Sequence, residues 1–312
     1  MSRPFAVLVL AWTLGAVGSA FGPRSVGAVE PAPPRAKVLR YGVVAQLAHE
    51  PGSMLRVYAD LIAELTRVLA PQGIEGASLV IARDVPELSR LLARGEVDMV
   101  TETVFLTIDL QNEPLVSIEP RLAIVRRDQR EYHTVFFTKR EGPIRKLDQL
   151  VGRTLVLQAE RSTSAFAVPR AELARFGIPM VPAGQPKAPR NAAFFVLAGA
   201  ELNQAFWVLY GRGDAGAFNE GDWHRLPHKM RDDLVIFHET RPLLRGLLSF
   251  RRGLDAKVRN GAEKALLTLH EQEGGRAALE KADGITRLER LSPRDLAGLD
   301  DWRRVLQRTA RP

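Results

Sequence analysis

Apolar and polar positions alternate along this chain with two periods. Residues 38–44 (VLRYGVV) read as a strand, and residues 53–69 then set Met54, Val57, Leu61, Leu65 and Val68 at helical spacing. Residues 79–82 predict a second strand, 85–93 a helix ended by Gly95, and 97–100 a short third strand. These pieces make one β-α-β-α-β unit, expected to be right-handed with a mostly parallel sheet. At 116–125 and 134–138 the pattern changes to two extended runs, separated by the polar segment 126–131, which suits a crossing between lobes. Alternation then restarts with a strand at 154–157, a helix over 162–176 closed by Gly177, and a strand at 178–181. A Pro-rich loop at 182–189, a helix over 201–210 and a strand at 214–218 follow. Residues 234–237 read as the return crossing. Beyond them come a strand at 247–250 and helices near 255–270, 274–281 and 292–308. Gly95-Glu-Val-Asp98 and Gly211-Arg-Gly-Asp214 each sit between a helix and a short strand, an echo expected of two lobes built alike.

The fold class is therefore α/β, with two lobes joined by two hinge crossings and each lobe a mostly parallel sheet flanked by helices. The first lobe is expected over 37–130, the second over 131–235, and the return with its C-terminal helices over 236–312. Residues 1–28 read as a signal peptide. Arg3 supplies the positive end, Phe5 to Leu14 the apolar stretch, and small residues at Gly18-Ser19-Ala20 and Val26-Gly27-Ala28 two cleavage sites. The competing reading is an uncleaved anchor, but the uncharged stretch from Phe5 to Gly22 is barely long enough to span a bilayer and is diluted by glycine. Residues 29–36 form a short Pro-rich lead-in. The protein is thus expected to be exported.

Composition narrows the chemistry. The 312 residues contain no cysteine, which removes disulfides, thiolate metal sites, a Cys nucleophile and a lipid-modified N-terminal Cys. The net charge of +8 raises the question of nucleic acid, yet the basic residues are scattered. The pairs Arg126-Arg127, Arg251-Arg252 and Arg303-Arg304 sit at the ends of apolar runs, where charges usually solvate a surface. Nucleic acid is not expected as a partner, whereas a small anion is compatible with this surface. No G-x-S-x-G, Walker A loop or H-E-x-x-H occurs. His224 and His228 are separated by Pro227, which disfavours a shared helix face, so neither a metal nor a cofactor is expected.

The most informative local feature is Ser162-Thr163-Ser164, between the strand at 154–157 and an apolar helix. Hydroxyls there accept bonds from free backbone N–H groups, which is an ordinary N-cap. Three in succession, with exposed amides and the positive helix end, also make a pocket for a tetrahedral oxyanion. These residues alone leave cap and anion site equally open.

An ordered series of motifs then resembles the phosphonate/phosphite/phosphate-type periplasmic binding proteins, the solute receptors of ABC importers, over about residues 38–305. The series runs Tyr41-Gly-Val43, Val80-Ile-Ala-Arg-Asp84, Leu91-Leu-Ala-Arg-Gly-Glu-Val-Asp98, Tyr132-His-Thr-Val-Phe136 and Gly142-Pro-Ile-Arg-Lys-Leu-Asp-Gln-Leu-Val-Gly152. It closes with Arg161-Ser-Thr-Ser164 followed by Pro169, and Gly213-Asp-Ala-Gly-Ala217. The resemblance implies a type II binding protein that clamps its ligand between two lobes and hands it to a membrane permease with its ATPase. It also implies that Ser162, Thr163 and Ser164 hold the phosphonate oxygens, with the segment Thr101-Glu102-Thr103-Val104-Phe105 facing the ligand from the other lobe. Phe105 stands where the family usually has a tyrosine, and Ala198-Gly-Ala-Glu201 where it often has a Ser-His pair. Glu102 either accepts a bond from a ligand ammonium or hydroxyl group, repels a second anionic charge, or serves as a helix N-terminal carboxylate. Asn219 and Glu220, at the carboxyl end of the strand at 214–218, are placed for ligand contact or for a helix start. Tyr132 and Thr134, at the first crossing, are candidates for contact or for sheet packing. The expected function is an exported monomeric receptor for a small tetrahedral oxyanion. A ligand sensor of the same fold is the alternative, and an exported hydrolase using Ser162 or Ser164 with His133 a third.

Overall fold

A computed structural model of the chain describes residues 38–45 and 51–309. The expected signal peptide (1–28) and lead-in (29–36) lie outside the described residues. Among those residues, no helix is long and apolar enough to cross a membrane.

The first lobe begins with β1 (Val38–Val44), whose Leu39, Tyr41 and Val43 are buried on one face. Helix α1 (Pro51–Leu69) covers that face with Met54, Tyr58, Leu61, Leu65 and Leu69, a stripe three to four residues apart. β2 (Gly76–Ala82) runs parallel to β1. α2 (Val85–Ala93) starts at Asp84, whose carboxylate accepts the Glu87 N–H at 2.8 Å. β3 (Met99–Glu102) lies parallel to β1 on its other side, and α3 (Val104–Asn112) leads to β4 (Ile118–Arg126).

The crossing begins with a tight turn in which Arg126 and Gln129 exchange backbone hydrogen bonds of 3.0 and 2.9 Å. β5 (Glu131–Tyr132) carries the chain across, and the second sheet opens with β6 (Thr134–Lys139) and β7 (Thr154–Leu157). A wide helical turn over Thr163–Ala167 precedes α4 (Val168–Arg175). β8 (Met180–Pro182), β9 (Ala193–Leu197), α5 (Glu201–Leu209) and β10 (Ala215–Asn219) follow, then the short helices α6 (Glu220–Arg225) and α7 (His228–Asp232). β11 (Leu234–Glu239) corrects the expected return crossing at 234–237, because it pairs antiparallel with β6 as an edge strand. The chain returns later, where β12 (Leu243–Leu244) pairs with β5. A two-residue crossing strand leaves no periodicity to read, whereas the apolar run before it does.

β13 (Leu247–Arg251) then inserts antiparallel between β3 and β4. α8 (Ala256–Thr268), α9 (Glu273–Asp283), β14 (Ile285–Arg290) and α10 (Pro293–Thr309) complete the described chain. The strand orders are β14-β4-β13-β3-β1-β2 and β11-β6-β10-β7-β9-β8. Ser292 caps α10 reciprocally. Its Oγ accepts the Asp295 N–H at 3.2 Å, while Asp295 Oδ2 accepts the Ser292 N–H at 2.6 Å.

The two Gly-x-x-Asp echoes do the same job in each lobe. Gly95 and Gly211 end their helices at φ values of 67° and 73°. Asp98 Oδ2 then accepts the Arg40 N–H at 3.1 Å, and Asp214 Oδ2 accepts the Thr154 N–H at 2.8 Å. Each aspartate thereby locks the parallel strand beside its own. α10 and the crossings join the lobes through one apolar cluster, in which Val104, Phe105, Tyr132, Val168, Leu244 and Trp302 meet.

Candidate functional site

The crossings connect corresponding edges of the two sheets. In the first sheet Glu102 and Ala123 flank Leu247, and Arg126 faces Ile285, so the ends of β3 and β4 share one edge. In the second, Asn219 sits beside Thr134 and Leu157 beside Leu197. The cleft therefore runs between the carboxyl ends of parallel strands from both lobes, the usual binding edge of open α/β sheets.

On the second lobe, Ser162 is the N-cap of the turn after β7, its Oγ accepting the Ala165 N–H at 3.2 Å. Among the described residues, the Thr163 and Ser164 hydroxyls have no protein partner, and both residues are half-buried. Thr134 is buried and holds this turn, its hydroxyl donating to the Ser164 carbonyl oxygen at 3.1 Å. It positions the serine rather than lining the cleft. Asn219 is likewise a cap, its Oδ1 accepting the Asp222 N–H at 3.1 Å. The Glu220 N–H donates to the His133 carbonyl oxygen at 3.0 Å, which leaves the half-buried side chain at the helix start.

On the first lobe, the Thr101 hydroxyl is hydrogen-bonded to the Tyr41 hydroxyl, and Thr103 caps α3 by accepting the Leu106 N–H at 3.4 Å. Glu102 ends β3 between them, recessed in the wall. Burial, reinforced by the Asp283 charge, pushes its carboxyl up to about 8, with Arg126 and the Thr103 N–H opposing. Phe105 does not line the cleft. It is 4% exposed, and its ring lies 5.3 Å from that of Trp302 within the apolar cluster between the lobes. Tyr132 is buried in the same cluster, with the Arg245 guanidinium 4.9 Å from its ring centroid. Nothing in the sequence distinguishes a cleft-facing aromatic from one facing α10, because α10 lies nearly two hundred residues further along.

Sequence reasoning missed a group of arginines gathered at the first crossing. Arg126 pairs with Asp283 at the end of α9. Arg245 precedes β13 and donates to Gln129 Oε1 at 2.9 Å. Arg126-Arg127 reads as surface solvation in the sequence, and only its place between two lobes signalled otherwise. The hydrolase reading finds no support in the geometry. His133 Nδ1 meets the Thr240 carbonyl oxygen at 2.7 Å, and among the described residues it bonds neither Ser162 nor Ser164. No group of three or more His, Asp or Glu side chains among the described residues is arranged to hold a metal ion.

Residues 44–296 match the family described as ABC transporter, phosphonate, periplasmic substrate-binding protein. Among solved structures, XAC2383 from Xanthomonas citri bound to ATP shares 30% identity, with a TM-score of 0.75 over 88% of this chain and 98% of that one. PhnD1 from Prochlorococcus marinus, in complex with methylphosphonate, is 16% identical, with a TM-score of 0.56 over 88% of this chain and 99% of that one. The Mycoplasma hyorhinis protein Mh-p37, described as a putative thiamine pyrophosphate transporter, is 10% identical, with a TM-score of 0.56 over 85% and 98% of the two chains. No curated protein matches. With the family matched across most of its length and a relative sharing its two-lobe fold, the chain belongs to the phosphonate-type periplasmic substrate-binding proteins of ABC transporters, a family of solute receptors and not of enzymes.

Proposed function

We propose that this chain is exported by cleavage of its N-terminal segment and acts as a monomer. It captures a small tetrahedral oxyanion (phosphonate, phosphite or phosphate) and delivers it to an inner-membrane permease. The observation that carries this reading is the pair of hydroxyls on Thr163 and Ser164. Among the described residues they stand without protein partners, at the first amides of a helical turn on the carboxyl edge of the second sheet. Ser162 supports them as the cap, and Thr134 anchors the turn. Glu102, on the opposite wall, selects among substituents once the lobes close about β5 and β12. XAC2383 is described bound to ATP and PhnD1 in complex with methylphosphonate, and both ligands carry tetrahedral phosphorus–oxygen groups, which supports the reading.

Calorimetric titration of phosphate, phosphite, methylphosphonate and sulfate tests it. Thr163→Ala and Ser164→Ala are each expected to weaken the preferred anion by roughly 1–3 kcal/mol, through loss of charge-assisted bonds. Ser162→Ala should also lower stability by about 1 kcal/mol, because its Oγ caps the turn. Full affinity in both the Thr163 and Ser164 variants, with folding intact, would sink the assignment.

A further inference from the structure

Three arginines, Arg126, Arg127 and Arg245, lie near enough at the first crossing to act on one another's charge, and Arg126 and Arg127 both act on one half-buried carboxylate, Asp283. Arg126 is paired with Asp283. Arg127 follows it in a turn where Arg127 and Asp128 are held at φ values of 49° and 61°. Two-residue turns of this kind ordinarily use Asn-Gly or Asp-Gly, since Gly, Asn and Asp tolerate the left-handed region and a long side chain such as that of Arg127 is strained there. Strain retained at a cleft edge points to a use for the side chains it presents. Among the described residues, the Arg127 guanidinium has no carboxylate partner, while its backbone N–H is fixed by the Gly284 carbonyl oxygen at 2.9 Å.

Arg245 approaches from the returning crossing. It rests on the Tyr132 ring and donates to an amide oxygen, and neither contact cancels its charge. Burial, and the neighbouring charges of Arg126 and Arg127, hold it below the ordinary arginine range, with Tyr132 and Asp222 opposing. Asp222 is already engaged by Arg225. Burial pushes the Glu102 carboxyl up to about 8, which weakens its opposition to an anion. The contrast is Arg130, three residues beyond Arg127, which meets Asp295, Glu289 and Glu131 and is a saturated strut of the hinge.

We propose that Arg126, Arg127 and Arg245 form a second anion subsite at the cleft edge, so that the cleft prefers a ligand carrying two or more linked phosphoryl groups over a lone phosphate or alkylphosphonate. This rests on the oxyanion reading of Thr163 and Ser164. A guanidinium fork matches two phosphoryl oxygens at once, and a linked pair of phosphoryl groups can occupy both subsites where a single one occupies one.

Calorimetry on the protein with phosphate, methylphosphonate, pyrophosphate, tripolyphosphate and ATP tests the proposal. Tripolyphosphate or ATP is expected to bind at least tenfold tighter than phosphate. That ratio should fall about fivefold or more in Arg127→Gln and in Arg245→Gln. Arg94→Gln removes the same charge at the far end of the first sheet and should leave the ratio as it is. Tight binding of ATP alone would make the ligand an organic polyphosphate, and tight binding of both would assign recognition to the phosphoryl chain. Arg127 lies on an exposed turn, so its variant decides the matter if Arg245→Gln does not fold. Phosphate binding with no preference for longer anions, or a preference that both arginine variants keep, would overturn the subsite alone. Silence towards every anion would overturn the oxyanion reading and the subsite with it.

Discussion

Phe105 and Trp302 pack with ring centroids 5.3 Å apart, tilted by 55°, and so fasten α3 of the first lobe to the C-terminal helix α10. The contact belongs to a cluster that also takes in Tyr132 from the first crossing and Val168 from the second lobe. The aromatic residue at the end of the segment expected to face the ligand is instead part of what ties the two lobes together. Phe105→Ala is therefore expected to lower stability by roughly 3–5 kcal/mol in urea denaturation. Phe105→Tyr, which restores the family's usual residue, should cost about 1–3 kcal/mol by burying a hydroxyl, without a gain in anion affinity. Tighter anion binding by the tyrosine variant would place this side chain at the ligand after all.

Glu102 makes stability depend on pH with a definite sign. Its carboxyl rises from an ordinary value of 4.5 to about 8 on folding, chiefly through burial. Folding therefore takes up a proton between those values. The penalty is absent below about pH 4.5, grows as pH rises, and is complete above about pH 8. Glu102→Gln should match the wild type near pH 4 and exceed it by about 2–4 kcal/mol above pH 8. Denaturation curves recorded across that range decide it, and a constant difference between the two proteins would mean that the carboxylate is solvated.

The repeated aspartates should differ in weight. Asp98 is 1% exposed and meets Arg40 at 2.7 Å and Arg251 at 3.0 Å, whereas Asp214 is half-buried and its partner Arg153 lies at 3.5 Å. Asp98→Ala leaves two guanidinium groups without their shared partner and is expected to cost about 3–5 kcal/mol. Asp214→Ala loses one backbone bond and a surface pair, for about 1 kcal/mol. Equal losses in equilibrium unfolding would show that the two devices are energetically alike as well as geometrically alike.

Much of this protein was legible from local pattern. Alternating periods marked the strands and helices of both lobes, the Gly-x-x-Asp echo marked their kinship, and Ser162-Thr163-Ser164 marked a helix start with hydroxyls to spare. Each of these rests on neighbours within a few residues, where backbone geometry and side-chain spacing decide the outcome. Tertiary structure alone decided the rest. It turned Phe105 towards α10 and committed Thr134 to the Ser164 carbonyl oxygen. It made residues 234–239 an edge strand and brought the Arg126 charge to bear on both Glu102 and Arg245. Those outcomes depend on partners from 30 to nearly two hundred residues away, and burial and charge are properties of the assembled surroundings that a run of residues does not carry by itself.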